Sequence, residues 1–90
     1  MLDIFHTNSF KRDLKKAKLQ NKNFDKLDAV VEMLSNDPKK IPPKYRNHQL
    51  SGRWDDSWEL HVQPDWLLVY KLEADCIILE RLGSHSELFV

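Results

Sequence analysis

The stretch WELHVQPDWLLVYKL, residues 58–72, carries the signal from which the rest of the chain can be placed. In its first half Trp58, Leu60 and Val62 alternate with Glu59, His61 and Gln63, the two-residue period of a strand with one apolar and one polar face. Pro64-Asp65 suits a tight turn, because proline fixes the first turn dihedral and the aspartate side chain accepts local backbone N–H bonds. From Trp66 to Leu72 the chain is apolar toward both faces, as a central strand must be. A second turn at Glu73-Ala74-Asp75 leads into CIILERL, residues 76–82. The C-terminal half therefore reads as a three-strand meander.

Upstream, Leu2 to Phe5 reads as a short first strand. Thr7, Asn8 or Ser9 can cap a following helix, each offering a side-chain oxygen to an unpaired backbone N–H. In that helix Phe10, Leu14 and Ala17 fall on one stripe, while Lys11, Arg12, Lys15, Lys16 and Lys18 occupy the rest of the surface. Asn23 caps a second helix with Phe24, Leu27, Val30, Val31 and Leu34 apolar, and Asn36-Asp37-Pro38 ends it. Pro38 to Tyr45 (PKKIPPKY) reads as an extended surface connection. The tail GSHSELFV allows one short helical turn or an added edge strand. The order β-α-α-β-β-β predicts an α+β fold: an N-terminal strand and a helical hairpin packed on one face of a small antiparallel sheet. The other face is left free as a working surface. Ninety residues suit one domain, 1–90, with one core.

Composition narrows the class. A hydrophobic fraction of 41% and a charged fraction of 31% are ordinary for a globular domain. No apolar run approaches the ~20 residues of a membrane span, and MLDIFHTNSFKRD lacks the pattern of a secretory signal. The single cysteine, Cys76, reads as a buried, reduced thiol. These features together point to the cytoplasm. The net charge of zero hides an asymmetry. Residues 1–47 carry eleven Lys/Arg against six Asp/Glu, a local +5, and residues 48–90 carry three against eight, a local −5. Such an asymmetry suits a basic surface that meets nucleic acid or an acidic partner, or simply a solvated helix face.

Two successive hairpins bring residues 61, 65, 81 and 85 to one end of the sheet. Strands lie ~4.8 Å apart, so His61 and Arg81 would be about 10 Å from each other, a width that grips one phosphodiester. If residue 62 pairs with 67, His61 lies opposite Leu68. Arg81 shares that face when 68 pairs with 81, which leaves Ala74-Asp75 as a two-residue loop. A one-residue slip turns Arg81 to the helix side unless a bulge compensates.

Metal-free RNA cleavage needs a base for the 2′-OH, an acid for the leaving 5′-oxygen, and cations for the charge on the phosphorane. Histidine serves either of the first two roles and arginine forks onto phosphate oxygens. His48, His61, Asp65, Arg81 and His85 supply these types, with Trp66 and Phe89 as aromatic platforms for a nucleotide. Taken singly each has a plainer reading. The histidines are structural or merely exposed, Asp65 is turn chemistry, and Arg81 pairs with Glu80 or Glu59. The tryptophans and Tyr45 and Tyr70 are packing residues, and His6 lies away from the cluster.

The segments Asn47-His48-Gln49-Leu50-Ser51-Gly52, Glu59 to Trp66, Leu68-Val69-Tyr70 and Glu80 to Phe89 resemble the YafQ branch of RelE-type toxins. The combination HxLxG, HxxPDW and R-x-G-x-H-x-x-L-F, with the helical hairpin and strand order, extends the likeness over nearly the whole chain. The resemblance implies a type II toxin that cleaves mRNA in the ribosomal A site without a cofactor. It also implies a cognate, DinJ-like antitoxin, with a toxin–antitoxin complex that binds operator DNA. By that resemblance His48, His61, Asp65, Arg81, His85 and Phe89 map onto functional positions. Asp65 and His85 are the leading acid–base pair, His61 and Arg81 hold the phosphate, His48 orients a neighbour or serves as an alternate base, and Phe89 positions the nucleotide. The chain departs from the family in being neutral, whereas such toxins are often basic. The alternatives are a zinc hydrolase built on His48, His61, His85 and Asp65, and a non-catalytic gyrase-binding toxin of the ParE type.

Overall fold

The structure is a computed structural model that describes residues 1–54 and 56–89; Asp55 and Val90, the last residue of the tail, lie outside the described residues. Its elements run β1 (Asp3–His6), α1 (Asn8–Leu19), α2 (Phe24–Asn36), β2 (His48–Gln49), β3 (Trp58–Gln63), β4 (Trp66–Leu72), β5 (Cys76–Gly83) and α3 (His85–Leu88).

Local chemistry fixes the helix starts. Thr7 Oγ1 accepts the Phe10 N–H at 3.0 Å and donates to the Glu80 carbonyl at 2.8 Å, so one hydroxyl caps α1 and ties it to β5. Asn23 Oδ1 accepts the Lys26 N–H to open α2. Phe10 and Ala17 of α1 and Leu27, Val30 and Leu34 of α2 are buried, with Leu14 partly buried beside them, as the helical spacing requires. These stripes meet Leu60, Val62, Leu68, Tyr70, Ile77, Leu79 and Leu82 of the sheet in one core. Apolar burial of this kind is the main force holding the hairpin to the sheet.

The sheet order is β1-β5-β4-β3-β2. The α+β arrangement is the expected one, with three refinements. The sheet is mixed, since β1 pairs β5 in parallel while the meander is antiparallel. A two-residue strand at His48–Gln49 adds to the β3 edge. The segment Pro38–Tyr45 is wound into two 3-10 turns, at Pro38–Lys40 and Pro43–Tyr45, rather than extended. Proline at the first position of each turn already has the φ that such a turn needs, and Asp37 Oδ1 accepts the Lys39 N–H to start the first. Cys76 is half-buried rather than buried, because it stands at the exposed start of β5.

Both hairpins leave their turns in the anticipated register and then shift by one. Gln63 pairs with Trp66 around Pro64-Asp65, but beyond Val62 the pairing becomes His61 with Leu67 instead of Leu68. Glu73 N–H bonds to the Cys76 carbonyl, making Ala74-Asp75 the two-residue loop, and Tyr70 pairs with Leu79. Beyond Glu80 the pairing shifts again, and Arg81 faces Val69. Leu68 belongs to the core under the helices, whereas Leu67 and Val69 lie in a second cluster with Leu88 on the opposite face. Without the bulges, His61 and Arg81 would both stand opposite Leu68, on the helix side. The two bulges place both on the open face, the reverse of what an unbroken ladder gives.

The core predicts a clear mutational cost. Leu34→Ala removes a fully buried side chain between α2 and the sheet and should lower unfolding stability by about 3 kcal/mol, read from urea midpoints at constant slope.

Candidate functional site

Cross-strand partners share a face, so the ladders sort the polar side chains into rows. His48, Glu59, Val69 and Arg81 form one row across four strands; His61, Leu67 and Gly83 form the next. His61 and Arg81 are thus two strands apart, as expected, but offset by two residues along β4, a further ~6.6 Å.

The first group is built around a carboxyl side chain. Glu59 Oε1 lies 3.7 Å from His48 Nε2 and 3.4 Å from His61 Nε2, and its side chain is only 4% exposed. The other nitrogen of each ring is held by backbone. His48 Nδ1 meets the Arg46 carbonyl at 2.6 Å, and His61 Nδ1 meets the Pro64 carbonyl at 3.2 Å. A carbonyl only accepts, so each Nδ1 carries hydrogen. Arg46 reaches this position in a left-handed conformation (φ 50°), which closes the preceding 3-10 turn. Asn47, just before His48, is pinned by the Tyr70 hydroxyl, which donates to its Oδ1 at 2.6 Å. Burial pushes the Tyr70 phenol up to about 12.

The second group sits at the β3–β4 turn. Asp65 Oδ1 accepts the His85 N–H at 3.0 Å, fixing the first turn of α3 from outside. Inside it, Ser84 and Glu87 form a reciprocal capping box: Ser84 Oγ accepts Glu87 N–H, and Glu87 Oε1 accepts Ser84 N–H at 2.8 Å. Gly83 permits the close seat of α3, since a Cβ there would lie 3.2 Å from both Glu87 Oε1 and Leu88 Cδ2. The imidazole of His85 is exposed and packs on Phe89 at a centroid distance of 5.3 Å, and Phe89 in turn meets Trp54 edge-on at 5.8 Å. Because Asp65 follows Pro64, which holds His61, the two groups form one continuous line from His48 to Trp54.

Arg81 and Trp66 stand apart from that line. Arg81 is paired with neither Glu80 nor Glu59; its Nε and Nη2 reach Asp13 of α1 at 2.8 and 3.3 Å. Asp13 also accepts the Leu82 N–H at 2.8 Å, filling the edge of β5 beyond the end of β1. The hydrogen bond to Asp13 raises the guanidinium further above its ordinary value. Arg81 is neither free nor buried under the helices, and its Nη1 has no bond among the described residues. Trp66 is not a stacking platform, because it is 1% exposed in the core and edge-on to Phe24. Its neighbour Leu67 lies on the open face, so by strand alternation the Trp66 ring points to the helices. Glu59, which the sequence offers only as a salt-bridge partner, is the residue that the fold brings between His48 and His61. Its i, i+2 spacing to His61 on the polar face of β3 was the available signal.

His61 also borders a cleft of about 530 Å³, where Lys26, Lys44 and Arg46 outnumber Asp25. Among the described residues, no group of three or more His, Cys, Asp or Glu side chains is arranged to hold a metal ion. No helix in the described residues is long and apolar enough to cross a membrane.

Two measurements check how α3 is held. Asp65→Ala removes an external cap and should cost about 1 kcal/mol, with faster amide exchange confined to residues 85–88. The same helix should respond to acid through Glu87. The Lys16 ammonium, followed by the Ser84 N–H, holds its carboxyl at about 2, below the ordinary 4.5. Since the folded value is depressed, this contribution is present above 4.5 and is lost as pH falls from 4.5 toward 2. Glu87→Gln keeps a capping side chain but should flatten the acid limb of stability in that window, measured by urea melts at each pH.

A family model described as a bacterial toxin of type II toxin–antitoxin system, YafQ, matches residues 2–90. The mRNA interferase toxin YafQ of Escherichia coli K12 is 36% identical over 87 residues, covering 97% of this chain and 95% of the relative. The crystal structure of YafQ from E. coli BL21(DE3) superposes with a TM-score of 0.94 at 33% identity, over 100% of both chains. YafQ in the crystal structure of the E. coli DinJ–YafQ complex superposes with a TM-score of 0.92 at 34% identity, again over 100% of both. This chain belongs to the YafQ family of bacterial toxins of type II toxin–antitoxin systems.

Proposed function

We propose that this protein is an mRNA interferase, an endoribonuclease that cuts mRNA in the ribosomal A site by metal-independent acid–base chemistry. The observation that carries the reading is the line of His48, His61, Asp65 and His85 along the open face, ending on the Phe89 ring. Imidazoles are the groups best suited to move protons near neutral pH, and a bare fold-level likeness would not require them at these positions.

In this reading His85 and Asp65 are the acid–base pair, joined through the α3 N-terminus. His61 holds the phosphate together with Arg81, whose Nη1 is left by the Asp13 pairing to reach a phosphoryl oxygen. His48 orients its neighbour or serves as an alternate base, and Phe89 carries the nucleotide beside His85. A chain of zero net charge gains little from phosphate attraction alone, so presentation of mRNA by the ribosome supplies the encounter. The E. coli relative crystallised with DinJ supports a cognate antitoxin of that kind here; in this reading the pair works in the cytoplasm and binds operator DNA.

The test is regulated expression of wild type against His85→Ala, with growth and 5′-end mapping of mRNA followed together. Loss of a positioned acid or base should lower cleavage by about 10²- to 10⁴-fold and relieve growth arrest. Equal toxicity with identical mRNA ends would remove His85 from the mechanism. Growth arrest with intact mRNA would turn the reading toward a gyrase-type target.

A further inference from the structure

Glu59 has no part in the roles assigned above, yet it is withdrawn from water to 3% exposure. A buried carboxyl group is costly unless paired, and the fold does not need one at this position of β3. Its neighbour across β4 is the apolar Val69, and a hydrophobic or amide side chain would pack there as well. Among the described residues its ionisable contacts are two imidazoles, charged only when protonated: His48 Nε2 at 3.7 Å and His61 Nε2 at 3.4 Å. Both approach the same oxygen, Oε1. One arrives from β2 and the other from two residues along β3, so a single carboxyl joins the HxLxG and HxxPDW segments.

The opposite side of each ring is already fixed. The Arg46 and Pro64 carbonyls take the Nδ1 hydrogens, and they alone would leave each ring free to pivot about that bond. Glu59 supplies the second point of attachment, at Nε2, when a ring is protonated and both of its nitrogens carry hydrogen. Two points define the ring plane, and a shared oxygen makes the two planes depend on each other.

We propose that Glu59 is a positioning residue for RNA cleavage, a buried carboxyl that sets the orientation of His48 and His61 together. The proposal rests on the interferase reading for its consequence in rate, but not for its geometric content. Glu59 touches no substrate. It acts through His61, which faces the phosphate, and through His48, which Glu59 makes the partner of His61 rather than an independent base.

The experiment compares wild type with Glu59→Gln in two measurements. Single-turnover cleavage of a defined mRNA on programmed 70S ribosomes separates rate from binding. Long-range 1H–15N spectra of the isolated chain report the hydrogen on each imidazole nitrogen. Glu59→Gln should lower the cleavage rate about 10- to 100-fold, part of what a positioned acid or base supplies, with little change in the concentration giving half-maximal rate. The 15N shifts of His48 and His61 should move while those of His6 and His85 stay, and the thermal midpoint should be unchanged or higher. An unchanged rate with unchanged imidazole shifts overturns the proposal. So does a lowered midpoint with a normal rate per folded molecule, which makes Glu59 structural. Should Glu59→Gln fail to fold, Glu59→Met fills the same space without a polar group, and loss of fold in both variants again overturns it. Wild-type protein that leaves mRNA intact on the ribosome defeats the interferase reading instead, and the imidazole shifts of Glu59→Gln still decide whether Glu59 holds the rings.

Discussion

Strand β4 is covered on both faces, and the rest of the molecule is arranged around that requirement. Leu68 and Tyr70 point into the core beneath α1 and α2, while Leu67 and Val69 point the other way and are fully buried too. A sheet of this size cannot leave the second set bare to water, so something small must cap the open face. The cap is Leu88 of α3 with Leu50, Trp54 and Phe89 packed around it. The catalytic candidates are the rim of this second cluster. His85 and Phe89 are carried by the element that provides Leu88, and His48 precedes Leu50. The site is therefore attached to the fold by the same apolar contacts that complete the sheet.

Most of the fixing of polar side chains is done by backbone groups and by neighbouring side chains. Carbonyls of Arg46 and Pro64 hold two rings, the Asp65 carboxyl holds the start of α3, and the Tyr70 hydroxyl holds Asn47 beside His48. Helix α1 contributes from the far side, through Asp13 to Arg81 and Leu82 and through Lys16 to Glu87. Four residues make a helix too short to persist alone, and α3 stands because Asp65, Ser84 and Glu87 bond its first turn and Lys16 holds Glu87. This arrangement gives a small domain a rigid working surface without a disulfide, its one cysteine being unpaired.

The open face and the helical hairpin meet through α1, so the two halves of opposite charge are not independent. Asp13 and Lys16 lie one turn apart on α1 and engage Arg81 and Glu87 respectively, opposite signs in each pair. The charge asymmetry noted along the sequence is thus partly spent within the molecule, at the seam between helix and sheet. The remaining cations of the first half, Lys26, Lys44 and Arg46, border the cleft beside His61.

The sequence alone determined the N-terminal strand, the helical hairpin, the three-strand meander with both of its turns, and the helix cap at Asn23. Those features are local: a period, a cap or a two-residue loop is written in neighbours along the chain. The tertiary structure alone decided which face His61 and Arg81 occupy. A bulge is one unpaired residue, and its position is chosen by packing on both sides of β4 rather than by the strand's own pattern. It also decided that Trp66 turns inward to Phe24 and that Arg81 answers to Asp13, 68 residues away. Glu59 belongs to the same class. Its alternation with His61 was visible, but its burial and its two ring partners exist only once β2 is laid against β3.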